Sequence, residues 1–239
     1  MIQNYLFDLY GTLVDIRTDE EKPSLWRRLA LLYGLQGASY APAEIRRAYH
    51  LFVEREIGTL ALRHPEVSAD AIEPDILPVF NALYAEKGIT ASEQTLWDTA
   101  VFFRTLSLEY IRLYPGAKEV LQELRRRGRG IYLISNAQAA FTEPELRMLG
   151  LTPCFDGIAL SSQVGQKKPF PAIFSHLLST YGLTPEECLM VGNDAVADIQ
   201  VASNMGMESC YIHTKQSPEQ PAHWPDTCRE IRSLFDLIS

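Results

Sequence analysis

The side chains best suited to chemistry in this 239-residue chain stand at the ends of short apolar runs. NYLFDL closes with Asp8 and is followed by Tyr10, Gly11 and Thr12, and GIYLIS leads to Ser135 and Asn136. CLMVG leads into Asn193 and Asp194, with Asp198 further along. Between the last two runs lies Lys168, in VGQKKPFPAIF, ahead of a helix opened by Pro169 and Pro171. Together these offer a carboxylate nucleophile, a hydroxyl donor, a cation and a second acidic cluster. A bound phosphate would need the lysine and the hydroxyl as donors. The clustered carboxylates would need a hard divalent cation to offset their repulsion. Taken singly, each residue has a plainer role: Ser135 as a helix cap, Lys168 as a solvated cation, Asp198 as the opening of the helix that follows. Their ordered appearance at strand ends carries the chemical reading.

Apolar runs of this kind, bounded by glycine and polar residues, read as buried strands. After Tyr114, helical patterns alternate with the runs GIYLIS at 130–135, GIAL at 157–160, CLMVG at 188–192 and ESCYI at 208–212. That alternation predicts an α/β fold with a parallel sheet and right-handed crossovers, in which ligands bind beyond the carboxyl ends of the strands. No strand is read between the first run and Tyr114. Four amphipathic patterns replace it. One spans Pro23 to Tyr33, with Gly34 as a stop, and one starts near Pro42 and carries Ile45, Tyr49 and Phe52. A third carries Ile76, Val79, Phe80 and Leu83, and a fourth Leu96, Ala100, Phe103 and Leu106. Each has one apolar stripe, so they pack as a small bundle. Residues 1–15 and 114–239 are therefore read as one α/β core, interrupted by a helical insert at 16–113. The proline-bearing stretch from Gln216 to Asp226 reads as a surface loop.

The length allows a substantial core without staples, and 46% hydrophobic with 22% charged residues describes an ordinary globular chain. A formal charge of −8 argues against a nucleic-acid groove or an anionic membrane surface as partner. The cluster Arg125, Arg126, Arg127 and Arg129 closes a helical pattern, where cations complement the C-terminal dipole. Cys154, Cys188, Cys210 and Cys228 make no C-x-x-C pair and suit neither a zinc site nor a small disulfide framework. No apolar stretch is long enough to span a bilayer, and no leader-like segment opens the chain, so a reduced, cytoplasmic protein is expected.

In order, FDLYGTLVD, LISN, KKP and MVGNDAVADI resemble the four motifs of the haloacid dehalogenase superfamily of hydrolases, with a helical cap inserted after the first. The resemblance spans the whole core. It implies a Rossmann-like parallel-sheet core with an inserted α-helical bundle as cap. It also implies Asp8 as covalent nucleophile, Thr12 and Ser135 hydrogen-bonding the transferred group with Asn136 beside them, and Lys168 steadying the aspartate and developing negative charge. Mg²⁺ would be held by Asn193, Asp194 and Asp198 together with Asp8 and the backbone carbonyl of Tyr10. The implied activity is a Mg²⁺-dependent phosphatase of small phosphorylated metabolites, acting through an aspartyl-phosphate. Substrate choice would lie in cap residues such as Trp26, Arg46, Arg47, Tyr49 and His50.

Two positions depart from the phosphatase pattern. Phosphatase members carry an aspartate two residues after the nucleophile, which protonates the leaving oxygen. Tyr10 stands there instead, and a phenol near pKa ~10 is a poor base at neutral pH. Tyrosine at this place is similar to the 2-haloacid dehalogenase branch, which displaces halide without metal. That branch usually carries a Ser-Ser-Asn fourth motif and a tyrosine six residues after the lysine, where this chain has GNDAVAD and Phe174. Asn193 stands where phosphatases usually have aspartate, so either its amide oxygen ligates or the register slips by one to Asp194. A metal-independent dehalogenase, and a phosphate-binding or regulatory protein of weak turnover, remain as alternatives.

Overall fold

The computed structural model describes residues 1–218 and 224–239. The surface loop expected over 216–226 therefore lies in part outside the described residues. The chain opens with β1 (Asn4–Phe7) and β2 (Val14–Thr18), followed by the helices α1 (Pro23–Leu35), α2 (Pro42–Ala61), α3 (Ile76–Glu86) and α4 (Glu93–Ser107). Then come β3 (Leu108–Leu113), α5 (Ala117–Arg126), β4 (Gly130–Ser135), α6 (Ala139–Leu149), β5 (Gly157–Leu160), α7 (Ser161–Val164) and α8 (Ala172–Tyr181). The chain ends with β6 (Cys188–Gly192), a π-helical turn at Ala195–Gln200, α9 (Val201–Asn204), β7 (Glu208–Ile212) and β8 (Cys228–Ile231).

Six strands form one parallel sheet in the order β5-β4-β1-β6-β7-β8. Every residue of β6, and all but the first of β4, is buried. Strands covered on both faces read as continuous apolar runs, which is why these stood out in the sequence. The helix α5 buries Ala117, Val120, Leu121 and Leu124, one stripe at helical spacing. The arginines beyond that stripe are used locally: Arg125 meets Asp156 at 2.9 Å, Arg127 meets Glu123 at 2.6 Å, and Arg129 donates to the Ile2 carbonyl at 2.8 Å.

The helices α1 to α4 share a second hydrophobic cluster that includes Trp26, Leu29, Ile45, Tyr49, Phe80, Leu83 and Phe103, and Ala140 and Phe141 of α6 complete it. The helix α1 runs through Gly34, read as its stop, to Leu35. Two strands appear where none was expected. β2 and β3 pair antiparallel as a separate two-stranded ribbon on either side of the helices. The buried Asp15 carboxylate takes two bonds from Arg112 across the ribbon, at 2.9 and 2.7 Å, and one from Tyr110 at 3.1 Å. A further strand without a sequence expectation, β8, forms one edge of the sheet beside β7.

Candidate active site

β1 lies at the centre of the sheet, with Phe7 level with Leu133 of β4 and Val191 of β6. Parallel register therefore brings the residues following all three strands to one edge, as expected for an open α/β sheet. The Asp8 amide continues the ladder onto Val191 O at 2.9 Å. The chain then turns sharply: the amides of Leu13 and Val14 both bond the Leu9 carbonyl, at 2.8 and 2.9 Å, and Gly11 takes φ +87°. A Cβ on Gly11 would stand 2.4 Å from Asn193 Nδ2, so both dihedral and space require glycine. Gly192 is required by space alone, since a Cβ there would meet Asp198 Oδ2 at 2.1 Å.

The Asp8 carboxylate is buried among donors. Lys168 Nζ stands 2.8 Å and Ser135 Oγ 3.4 Å from Oδ1, and Thr12 Oγ1 stands 3.2 Å from Oδ2. Lys168 also donates to Asp198 Oδ1 at 2.6 Å and to the Ile134 carbonyl at 3.1 Å, which uses the three hydrogens of an ammonium. Burial works against that charge, but Asp198 and Asp8 outweigh it and hold the Lys168 pKa above the ordinary lysine value. Burial pushes the Asp198 carboxyl up, against the pull of Lys168. Asn136 serves the backbone of the lysine: its Oδ1 accepts from the Lys168 amide at 2.7 Å and its Nδ2 donates to the Lys168 carbonyl at 3.0 Å.

A cavity of about 200 Å³ is lined by Asp8, Tyr10, Ser135, Asn136, Lys168, Asn193, Asp194, Asp198 and Gln216. The structure thus brings these expected residues together, with Thr12 packed beneath them, fully buried. Among the described residues no three His, Cys, Asp or Glu side chains converge as a metal cluster. The oxygens present nevertheless suit Mg²⁺, which takes one or two carboxylates and keeps several waters. Asp8 Oδ2 and Asn193 Oδ1 both face the Thr12 hydroxyl, at 3.2 and 3.3 Å. A hydroxyl has one hydrogen to give, so one of these acceptors lacks a donor that a cation would replace. Asp194 is occupied otherwise: its Oδ1 accepts the amides of Val196 and Ala197 at 2.9 and 2.8 Å, capping the π-helical turn. Asp198 Oδ2 accepts the Asp194 amide at 3.0 Å.

The Tyr10 hydroxyl is turned onto α6. It donates to Glu145 Oε2 and lies 2.9 Å from Thr142 Oγ1. Arg104 of α4 completes the group, with Nε 2.6 Å from Glu145 Oε1 and its guanidinium over the Phe141 ring. Burial first, then the neighbouring Glu145, pushes the Tyr10 pKa further above the ordinary phenol range. Burial opposes the Arg104 charge, yet Glu145 holds it in place.

None of Trp26, Arg46, Arg47, Tyr49 and His50 lines this cavity. Trp26, Arg46, Arg47 and His50 border a separate groove between α1 and α2, and Tyr49 packs against Trp26 and Phe103 inside the helical cluster. Residues not singled out from sequence do touch the site: Glu145 and Thr142 through Tyr10, and Gln216 in the cavity lining, where its amide donates to the Ile16 carbonyl. No motif marks them, because their partners lie far away in the chain.

The chain is 28% identical to the glyceraldehyde 3-phosphate phosphatase of Pyrococcus abyssi, over 100% of this chain and 93% of that protein. It is 34% identical to the phosphoserine phosphatase of Thermus thermophilus over 124 residues, a stretch that spans 52% of this chain and only 50% of that protein. The fold is shared with the crystal structure of a 2-haloacid dehalogenase from Pseudomonas syringae pv. Tomato DC3000, at 18% identity and a TM-score of 0.67, covering 100% and 97% of the two chains. The family model for haloacid dehalogenase-like hydrolases matches residues 2–206, and the chain belongs to that family of hydrolytic enzymes.

Proposed function

We propose that this hydrolase is a Mg²⁺-dependent phosphatase of small phosphorylated metabolites, acting through an aspartyl-phosphate on Asp8. The observation that carries this reading is the Asp8 carboxylate, held on Oδ1 by Lys168 and Ser135 and on Oδ2 by Thr12, beside the oxygen of Asn193. Both relatives compared over sequence bear phosphatase names, which supports it further. Asp8, Asn193 through its amide oxygen and the Tyr10 carbonyl would hold Mg²⁺, whose charge supplies electrostatic stabilisation of the phosphoryl oxygens.

A carboxylate oxygen of Asp8 attacks phosphorus while the bond to the leaving oxygen breaks, and that oxygen departs with the bonding pair. Thr12, Ser135 and Lys168 turn their hydrogens from Asp8 to the phosphoryl oxygens, where charge builds. Water then attacks phosphorus as the bond from phosphorus to the Asp8 oxygen breaks, its electron pair returns to the carboxylate, and the water's protons leave with the released phosphate. The cavity, near 200 Å³, is smaller than the pockets of about 300 to 1,000 Å³ that enclose drug-sized ligands, so it suits a phosphoryl group and its first neighbours.

The test is a phosphatase screen with and without EDTA, run beside halide release from 2-chloropropionate. Phosphate release that EDTA stops and Asp8→Asn abolishes is the expected result. Metal-independent halide release without phosphate release would make the protein a dehalogenase. Mg²⁺-dependent binding of a phosphate mimic with no turnover of any compound would make it a binding protein.

A further inference from the structure

The helical insert returns to the sheet edge at a point away from the β2/β3 ribbon. Just before α3, Ile72 and Gln166 form an antiparallel bridge. The Lys167 amide donates to the Ala71 carbonyl at 2.8 Å, and the Glu73 amide donates to the Gly165 carbonyl at 3.0 Å. Lys168 is the next residue along. A small apolar cluster of Val67, Ala71 and Ile72 packs on Phe170, so the insert grips the lysine loop on both sides of the ammonium-bearing residue.

The Glu73 side chain reaches the other catalytic loop. Its Oε1 accepts from Gln138 Nε2 at 2.6 Å, and its Oε2 faces Ser161 Oγ at 3.3 Å. Gln138 gives its other amide hydrogen to the Pro74 carbonyl at 2.8 Å, and its Oε1 accepts the Ile76 amide at 3.0 Å. That amide opens α3, where backbone donors have no partner within the helix. Ser161 Oγ in turn accepts the Ala137 amide at 2.8 Å. The loop carrying Ser135 and Asn136 is therefore fastened to the same short segment of the insert as the loop carrying Lys168.

We propose that Glu73 is a positioning residue: it ties the Ser135–Gln138 loop to the Gly165–Lys168 loop and so sets the spacing of the hydroxyl and the ammonium that act on Asp8. The margin is small, because Ser135 Oγ already stands 3.4 Å from Asp8 Oδ1, near the limit of a hydrogen bond. A shift of a few tenths of an ångström between the loops removes that contact. On this account the segment from Ala71 to Ile76 belongs to the frame of the site.

The kinetic arm rests on the phosphatase reading, and a second arm does not. In the full chain, Glu73→Ala lowers kcat for an aryl phosphate by about 10- to 100-fold, the cost typical of a small misplacement, with KM within about twofold. Glu73→Gln, which keeps one acceptor oxygen, recovers most of the loss. Amide hydrogen exchange, read without any substrate, rises in Glu73→Ala at residues 136–139 and 165–168 while α5 and β1 stay protected. Unchanged exchange in those two loops overturns the proposal, as does a uniform rise across the sheet, which would mark Glu73 as merely stabilising. If the unmodified protein hydrolyses no phosphate, the functional reading fails and the exchange arm alone decides the role of Glu73.

Discussion

Lys168 and Asp198 face each other at 2.6 Å, both side chains sealed from solvent, and the same ammonium reaches Asp8 at 2.8 Å. One cation thus balances two buried carboxylates. Lys168→Met would leave both uncompensated, at a cost of about 3–5 kcal/mol in stability along with loss of activity. Adding Asp198→Asn to that variant removes one of the two charges and should restore part of the stability. Urea denaturation measures both, and a Lys168→Met protein as stable as the unmodified chain would refute the coupling.

Tyr10 holds its proton away from the chemistry. With the hydroxyl on Glu145 and the pKa raised by burial, the Tyr10 phenol is not free to protonate a leaving oxygen. Aryl and acyl phosphates should therefore react faster than alkyl esters by ~10²- to 10⁴-fold, the usual worth of general acid assistance. Tyr10→Phe keeps that leaving-group dependence but costs about 1–3 kcal/mol, because Glu145 loses a donor. A rate that is flat against leaving-group pKa would show that another acid acts.

Asn193 offers an oxygen without charge. Asn193→Asp adds a negative charge beside Asp8 and should tighten Mg²⁺ binding on the order of tenfold, since ligand charge tunes cation affinity. The concentration of Mg²⁺ giving half-maximal activity, or direct calorimetry with Mg²⁺ alone, reads the change. Equal or weaker binding would remove Asn193 from the metal site.

Burial raises the Glu73 carboxyl above its ordinary 4.5, with Lys167, Gln138 and Ser161 pulling it back. A raised acid contributes stability that is complete below the unfolded value and is lost as pH rises through the folded one. Glu73→Gln lacks this loss. The Tm difference between variant and unmodified protein should move in favour of the variant as pH goes from 4.5 toward neutrality, and a pH-independent difference would contradict the burial argument.

The strands that matter for the site were readable because β1, β4 and β6 lie at the sheet centre and are apolar through burial, each ending in polar side chains. β2 and β3 were not, because they pair only with each other and carry Asp15, Arg17, Glu109 and Arg112, whose cross-strand ion pairs replace apolar contact. The neighbours of Asp8 were legible as strand-end residues. The orientation of Tyr10 was not, since Glu145 and Arg104 meet it only after the insert and α6 have packed. Sequence pattern likewise gave no sign that Trp26, Arg46, Arg47 and His50 border a different groove from the Asp8 cavity, because spacing along α1 and α2 says which residues share a face and not what that face meets.

The ribbon brings the two ends of the insert together: the Asp19 amide bonds the Ser107 carbonyl at 2.8 Å. Everything between them is, for the sheet, an excursion that leaves and returns at the same doorstep. A tight turn joining those two positions would let β2 run straight into β3 as a plain hairpin, leaving the pairing of β1 with β4 and β6 in place but taking Arg104 away from the Tyr10–Glu145 pair. The geometry of this seam would accept one helical insert in place of another. Any replacement would inherit the nucleophile intact but would have to rebuild, from its own residues, the grip on the lysine loop.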